Sequence, residues 1–377
     1  MTPAPGGQTV KIVITGGGTG GHVFPGIALA QELGARPGVE ILYVGKNTGP
    51  ERQWVTDRGL PFEGIQASGF PRGLTLRLFT FWIDLLRGFS QAAALLDRFR
   101  PQVVFSTGGY VSVPVSVAAS LRGVPVLLFE PNVTPGLAAR LLAFFARRVF
   151  TGFEKTSRTF ARRKAVWTGI PVRREILEAQ REPSLKGFGL DGDKVTLLLL
   201  GGSQGAHTLN QMMTGAIRVL NDGADPLQVL MMTGRSDYQW ALDETGQCAL
   251  KVVLRPFFAD IERAYAAADL VVARAGAITC AELLARGLPA ILVPYPHASG
   301  HQEANARALE EAGAAQVLME GDLQKGVLAG RIHELVAHPE RLRAMGQKAR
   351  ENYKADASAA IARNVMELAQ QQQRKSA

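Results

Sequence analysis

Apolar residues in this chain gather into short unbroken runs separated by mixed or glycine-rich stretches. VKIVIT (10–15), EILYVG (40–45), QVVFST (102–107) and VPVLLFE (124–130) are such runs. Their length predicts strands, and the lack of polar alternation predicts burial on both faces, as in a parallel sheet. The spacing predicts a helix from about Pro25 to Leu33 and another within PVSVAASLRG (114–123). The same rhythm restarts at Lys194. KVTLLLLGGSQGA (194–206) is again a charged lead, an apolar strand and a glycine-rich turn, followed by LQVLMMTG (227–234), KVVLRPF (251–257), DLVVARAG (269–276) and PAILVPYP (289–296). Strands alternating with helical stretches imply right-handed βαβ units. The expectation is an α/β chain of two Rossmann-like domains, 1–168 and 169–350, with parallel sheets facing across a cleft. The chain turns from one to the other at TGIPVRREIL (168–177), where Gly and Pro punctuate it. Ligands of such sheets bind at the carboxyl ends of the strands. Residues 351–377 read as a helix to Leu368, expected to return to the first domain, and then a polar tail expected to be disordered.

Composition adds limits. The 377 residues are 46% hydrophobic and 20% charged, as in soluble globular proteins, and a net charge of +9 favours anionic partners: nucleic acid, acidic lipid or phosphorylated substrates. The two cysteines, Cys248 and Cys280, form no C-x-x-C pair, so neither a disulfide framework nor a zinc site is expected. MTPAPGGQTV has neither the basic nor the apolar region of a secretory leader, and no apolar run reaches the length of a spanning helix. The expectation is a chain in the cytosol, or on a membrane from its cytosolic side.

The loop ITGGGTGGHVFPG (14–26) satisfies G-x-G-x-x-G with Gly16, Gly18 and Gly21. A dinucleotide fold also needs an acidic residue at the end of the second strand to bind ribose. Here that strand ends in Gly45 and Lys46, and Glu40 stands before it. A nicotinamide-dependent oxidoreductase therefore lacks its discriminating residue. His22, directly behind the glycines, supplies a side chain that exchanges protons near neutral pH. The alternatives for it are a helix cap or a packed imidazole. Thr19 adds a hydroxyl beside it.

In the second half, GGSQGA (201–206) follows a strand and opens a helix, where backbone N–H groups and the helix dipole favour a diphosphate. Ser203 and Gln204 can add side-chain hydrogen bonds there; the alternative is a tight turn without a ligand. In RAGAITCAE (274–282), Gly276 and Ala277 allow close backbone approach, Thr279 can meet phosphate, and Glu282 can accept two ribose hydroxyls. The competing reading of Thr279 and Glu282 is a capping box. HASGHQEANA (297–306) matches no strong zinc spacing and suits sugar hydroxyls better.

Together, GGTGGHVFP (17–25), TGGYVSVP (107–114), EPN (130–132), GIPVR (169–173), GGSQGA (201–206), RAGAITCAE (274–282) and HQEANA (301–306) resemble the MurG family, in order and from about residue 10 to 365. The resemblance implies a GT-B fold and an inverting glycosyltransferase of peptidoglycan synthesis. Such an enzyme moves N-acetylglucosamine from UDP-N-acetylglucosamine to lipid I, giving lipid II, without a catalytic metal or other cofactor. Carried over by motif, it places Thr19, Gly20, Gly21, Asn132, Arg173, Ser203 and Gln302 at the donor, with Tyr110 near the sugars. Ala277, Ile278, Thr279 and Glu282 fall at the ribose and phosphates, the backbone of Phe258 at the uracil, and His22 at the general base. EPN stands where EQN is commoner, and HQ at 301–302 where some members have QQ, which puts contacts rather than the reaction in doubt.

A lipid acceptor requires a bilayer. PRGLTLRLFTFWIDLLRGF (71–89), apolar with Arg72, Arg77 and Arg87 at its edges, fits a segment lying on the anionic inner-membrane surface; the alternative is a core helix with solvent-facing arginines. A diacylglycerol glycosyltransferase of related layout is the nearest rival. A nucleic-acid binder would suit the charge, but no aromatic-interleaved basic platform is present, so no nucleic-acid partner is expected.

Overall fold

The computed structural model describes residues 9–69, 76–202, 205–221, 226–298, 300–322 and 326–376. The chain divides into two compact units, 1–173 with 354–377, and 174–353. The boundaries read from the sequence, 168 and 350, lie a few residues short of these crossings. Both crossings leave the first unit side by side: the Lys354 ammonium lies 4.1 Å from the centre of the Trp167 ring.

The first unit alternates β1 (Val10–Thr15), α1 (Gly20–Gly34), β2 (Val39–Lys46), α2 (Glu51–Thr56), β3 (Phe62–Ile65), α3 (Leu76–Phe99), β4 (Val103–Ser106), α4 (Ser112–Leu121), β5 (Val126–Glu130), α5 (Leu137–Phe145), β6 (Ala146–Thr151), α6 (Glu154–Ser157) and β7 (Ala165–Trp167). Its strands form a parallel sheet in the order β3-β2-β1-β4-β5-β6-β7. β1 lies centrally, pairing with β2 from Val10↔Val39 and with β4 from Ile12↔Val103. Ile12, Val13 and Ile14 are fully buried, which is why this strand reads as an unbroken apolar run. Because the chain order reverses between β1 and β4, the turns after these two strands flank the switch point where such sheets bind ligands.

The second unit runs α7 (Arg174–Glu178), α8 (Arg181–Phe188), β8 (Val195–Leu200), α9 (His207–Asn221), β9 (Leu227–Met232), α10 (Tyr238–Thr245), β10 (Lys251–Arg255), α11 (Ile261–Ala267), β11 (Leu270–Ala273), α12 (Ala277–Arg286), β12 (Ala290–Leu292), α13 (His301–Glu311), β13 (Ala315–Val317), α14 (Val327–Val336) and α15 (Pro339–Asn352). Its parallel sheet, β10-β9-β8-β11-β12-β13, repeats the plan, with the switch point between β8 and β11. Leu197, Leu199, Val229, Leu270 and Val272 form the centre of its core with α9 and α14.

Two expectations need correction. α1 begins at Gly20, not near Pro25, so His22 belongs to the first helical turn. Pro25 suits a helix start, but Thr19 takes that role: its carbonyl accepts the N–H groups of His22 (3.0 Å) and Val23 (3.2 Å). The end of the chain is not a loose tail after Leu368. Helix α16 (Ala357–Ser376) continues through it and packs on α1, β1 and β4 of the first unit. Ala357, Ile361, Val365 and Ala369 bury one stripe at a spacing of four, and the Gln372 and Gln373 amides donate to the carbonyls of Gly123 and Thr9. Strands β3, β6, β7 and β13 carry polar or exposed positions and gave no apolar run to recognise.

Candidate functional site

The switch point of the first unit is tied together by hydrogen bonds around His22. Its Nδ1 lies 2.9 Å from the carbonyl oxygen of Thr107, the residue that follows β4. A carbonyl oxygen only accepts, so in the neutral ring Nδ1 carries the hydrogen and Nε2 holds the lone pair. The imidazole is half-buried and held through Nδ1, with the Nε2 lone pair given no hydrogen bond among the described residues. Thr107 is fully buried. Its N–H donates to the Thr15 carbonyl (2.8 Å), and its Oγ1 lies 2.5 Å from the His22 carbonyl and 3.2 Å from that of Thr15.

This arrangement accounts for the first glycines without a dinucleotide. A Cβ on Gly16 would fall 1.8 Å from Thr107 Oγ1, and one on Gly17 would fall 2.4 Å from a carboxylate oxygen of Glu51. The protein's own side chains account for Gly16 and Gly17, while a Cβ on Gly18 would meet nothing within 4 Å. Glu51 is fully buried at the start of α2; its Oε1 accepts the Lys46 N–H at 2.9 Å, while its Oε2 has no hydrogen-bond partner among the described residues. Thr107 and Glu51 are the residues that sequence reasoning missed as supports of this loop. Their signal was the pair Gly16 and Gly17, each with a side chain pressed where a Cβ would stand, whereas Gly18 serves the turn through its φ of +87°.

The remaining first-unit candidates lie along the same carboxyl edge. Thr19 is the residue before α1, and Gly20 and Gly21 are its first two. Tyr110 follows β4 and is exposed. Asn132 follows β5, and its placement is set by Glu130. That buried carboxylate accepts the Asn132 N–H (2.9 Å) and side-chain amide (3.0 Å) on Oε1, and the Gly136 N–H (3.1 Å) on Oε2. Arg173 is buried, with its guanidinium 4.1 Å from the centre of the Phe24 ring, one turn along α1 from Gly20 and Gly21. It therefore stands against the glycine turn of its own unit.

In the second unit, Ser203 and Gln204 lie outside the described residues. Helix α9 begins after them at His207, and its start is anchored by Asn210: its amide donates to the Thr233 carbonyl and to Asp237 Oδ2, both at 2.7 Å. Asp237 also meets His207 Nδ1 at 3.1 Å. After β11, helix α12 starts at Ala277 with Gly276 as its N-cap and no side-chain cap. Thr279 is thus the third residue of the helix, and the capping-box alternative does not hold. The first bond inside this turn is Cys280 N–H to the Gly276 carbonyl, 2.9 Å. The N–H groups of Ala277, Ile278 and Thr279 have no carbonyl of their own helix to bond, and N–H groups so placed can meet an anion. Glu282 is buried one turn further on. Gln302, in the first turn of α13, accepts the Tyr295 N–H on Oε1 (2.9 Å), so what it can offer a ligand is its amide N–H. Phe258 is 1% exposed, its ring edge-on to Phe188 at 5.6 Å. Only its backbone can read a base.

Burial pushes the Cys280 thiol up to about 12. Because the thiolate is the reactive form, folded protein should leave Cys280 unmodified by iodoacetamide at pH 8 while Cys248 reacts, and denaturation should expose both; mass spectrometry of the alkylated peptides checks this. Among the described residues no group of His, Cys, Asp and Glu has the makings of a metal site.

Residues 12–151 match the glycosyltransferase family 28 N-terminal domain, and residues 196–361 match the glycosyltransferase family 28 C-terminal domain. A protein of Halothermothrix orenii named UDP-N-acetylglucosamine--N-acetylmuramyl-(pentapeptide) pyrophosphoryl-undecaprenol N-acetylglucosamine transferase is 44% identical over 90% of this chain and 94% of its own. A protein of Moorella thermoacetica with the same name is also 44% identical, over the same shares. The crystal structure of Acinetobacter baumannii MurG superposes with a TM-score of 0.74 at 27% identity, covering 95% of this chain and 99% of that one. Two parallel doubly wound units, the paired domain matches and this likeness make the fold GT-B. With relatives this similar along nearly all of its length, the chain belongs to the MurG family of glycosyltransferases.

Proposed function

We propose that this glycosyltransferase moves N-acetylglucosamine from UDP-N-acetylglucosamine to lipid I, giving lipid II and UDP with inversion at the anomeric carbon. The observation that carries the mechanism is the His22 imidazole, fixed through Nδ1 at the β1–β4 switch point with Nε2 left as a base. The names of the relatives supply the substrates.

The second unit takes the nucleotide. The N–H groups of Ala277, Ile278 and Thr279, with the Ser203–Gln204 turn, meet the diphosphate. Glu282 accepts the ribose hydroxyls, the Phe258 backbone reads uracil, and the Gln302 amide donates to the sugar. The first unit takes the acceptor and the chemistry; along its edge lie Thr19, Gly20, Gly21 and Asn132, which the family resemblance assigns to the donor, and Tyr110, which it assigns near the sugars. The acceptor hydroxyl gives its proton to His22 Nε2 as its oxygen bonds to the anomeric carbon, and the bond from that carbon to the diphosphate breaks with its electrons on UDP. The helix N-terminus and Arg173 stabilise the charge that develops on the leaving group.

The acceptor lipid calls for a bilayer contact, which we place on the first unit at the cytoplasmic face of the membrane. Within 71–89, residues 71–75 lie outside the described residues; the rest belongs to α3, where Trp82 is 53% and Leu86 69% exposed. α5 adds apolar surface that sequence reasoning did not single out. Leu137 is 83% and Phe144 82% exposed, next to exposed Arg140, Arg147 and Arg148. Helix α4 packs against both α3 and α5. Among the described residues no helix is long and apolar enough to cross a membrane. Replacing Trp82, Leu137 and Phe144 together by serine should weaken binding to anionic vesicles at least about tenfold, by loss of the apolar area they insert. Vesicle sedimentation reads this, and a soluble short-chain acceptor should be turned over as before.

The reaction is tested by incubating the protein with labelled UDP-N-acetylglucosamine and a lipid I analogue. Label should pass into a disaccharide-lipid. Transfer to diacylglycerol in place of lipid I would overturn the assignment.

A further inference from the structure

Thr107 holds His22 at both ends. Its carbonyl accepts the ring hydrogen of Nδ1 at 2.9 Å, and its hydroxyl reaches the backbone carbonyl of the same histidine. Thr107 is held in turn by β1, through its N–H to the Thr15 carbonyl at 2.8 Å. Ser112, in the first turn of α4, braces the next bend: its hydroxyl lies 2.7 Å from the Gly108 carbonyl and 3.1 Å from that of Thr15. The chain then folds over the imidazole at Gly109, whose φ of +82° disfavours a side chain. A Cβ there would stand 3.3 Å from His22 Cδ2 and 2.7 Å from the Gly17 carbonyl. The ring is therefore confined by the turn after β4 as well as by its own helix.

We propose that Thr107 is a positioning residue for the proton transfer: it selects the tautomer and fixes the orientation of His22, its hydroxyl clamping the start of α1 so that its carbonyl stays aimed at Nδ1. This rests on His22 being the base. A neutral imidazole without an acceptor at one nitrogen divides its hydrogen between the two, and only the Nδ1–H form presents a lone pair at Nε2. The same bond steadies the imidazolium that forms once the proton has moved, since Nδ1–H donates in both states. The hydroxyl does this through its hydrogen bond to the His22 carbonyl, without touching substrate, so its loss should appear in turnover and not in donor affinity.

Two variants and one spectrum test it. Thr107→Val keeps the shape and removes the hydroxyl; Thr107→Ser keeps the hydroxyl. Thr107→Val should lower kcat at least about tenfold with KM for the sugar nucleotide within about twofold, and Thr107→Ser should recover most of the loss. In protein labelled with 15N-histidine, the His22 ring of the unsubstituted enzyme should show hydrogen on Nδ1 above its titration, and Thr107→Val should show both tautomers. A wild-type ring with its hydrogen on Nε2, a Val variant with unaltered kcat, or a loss that Ser does not restore would each overturn the proposal. Should the Val variant not fold, the wild-type spectrum still decides. If His22→Ala proved fully active, the role of His22 as base would fall, while the tautomer and its dependence on the Thr107 hydroxyl would still be read from the same spectra.

Discussion

Replacing His22 with alanine is expected to lower kcat about 10²–10⁴-fold, the usual worth of a positioned general base, and to leave the affinity for UDP-N-acetylglucosamine within about twofold. The split follows from the structure. The ring's known partner is the Thr107 carbonyl, a group of the first unit. The candidate groups for uridine and diphosphate, Arg173 apart, belong to the second, in the segments after β8, β10 and β11. Removing the imidazole takes away the acceptor of the hydroxyl proton and little that holds the nucleotide. Steady-state kinetics with a lipid I analogue, beside calorimetric titration of UDP, separates the two quantities. A raised dissociation constant with unchanged turnover would make His22 a donor-binding residue instead.

The second large effect is expected at Glu282. Glu282→Ala should raise the dissociation constant of UDP at least about 10–100-fold, as even one hydrogen bond from a ribose hydroxyl to a carboxylate contributes about 1.5–3 kcal/mol when one partner is charged. The carboxylate is buried on α12, one turn beyond the three N–H groups assigned to the diphosphate, so ribose and phosphate contacts come from a single helix start. Thermal unfolding measured alongside separates a binding loss from a folding loss. Uridine, which keeps the ribose without the diphosphate, should lose affinity in the variant by the same factor as UDP. Unaltered UDP binding would contradict the role given to this residue.

Much of the scaffold was legible because the buried strands announce themselves. β1 and β8 are unbroken apolar runs, and each is followed by glycines where the chain turns into a helix. What was not legible depends on partners distant in sequence. Thr107 approaches Gly16 across the sheet, and Glu51 closes on Gly17 from the next βα unit. From the sequence those glycines look like room for a ligand; in the structure they are room for a hydroxyl and a carboxylate. The start of α1 was misplaced because Pro25 is a good first-turn residue in isolation, whereas the Thr19 carbonyl closes the helix a turn earlier. The glutamine-rich end looked unstructured by composition, yet its apolar stripe at a spacing of four belongs to a docked helix. At the site, the residue types of α12 were enough to suggest a nucleotide, but two meanings of Thr279 and Glu282 survived until the N-cap proved to be Gly276. Asn132 was singled out by motif; that Glu130 sets its position required the structure.

The division of labour between the units is tested most directly by locating UDP in a crystal soaked with it. The nucleotide should lie on the second unit, with its ribose on Glu282 and its diphosphate at the start of α12. Ligand seated instead on the Gly16–Gly21 turn, with Glu282 untouched, would contradict it.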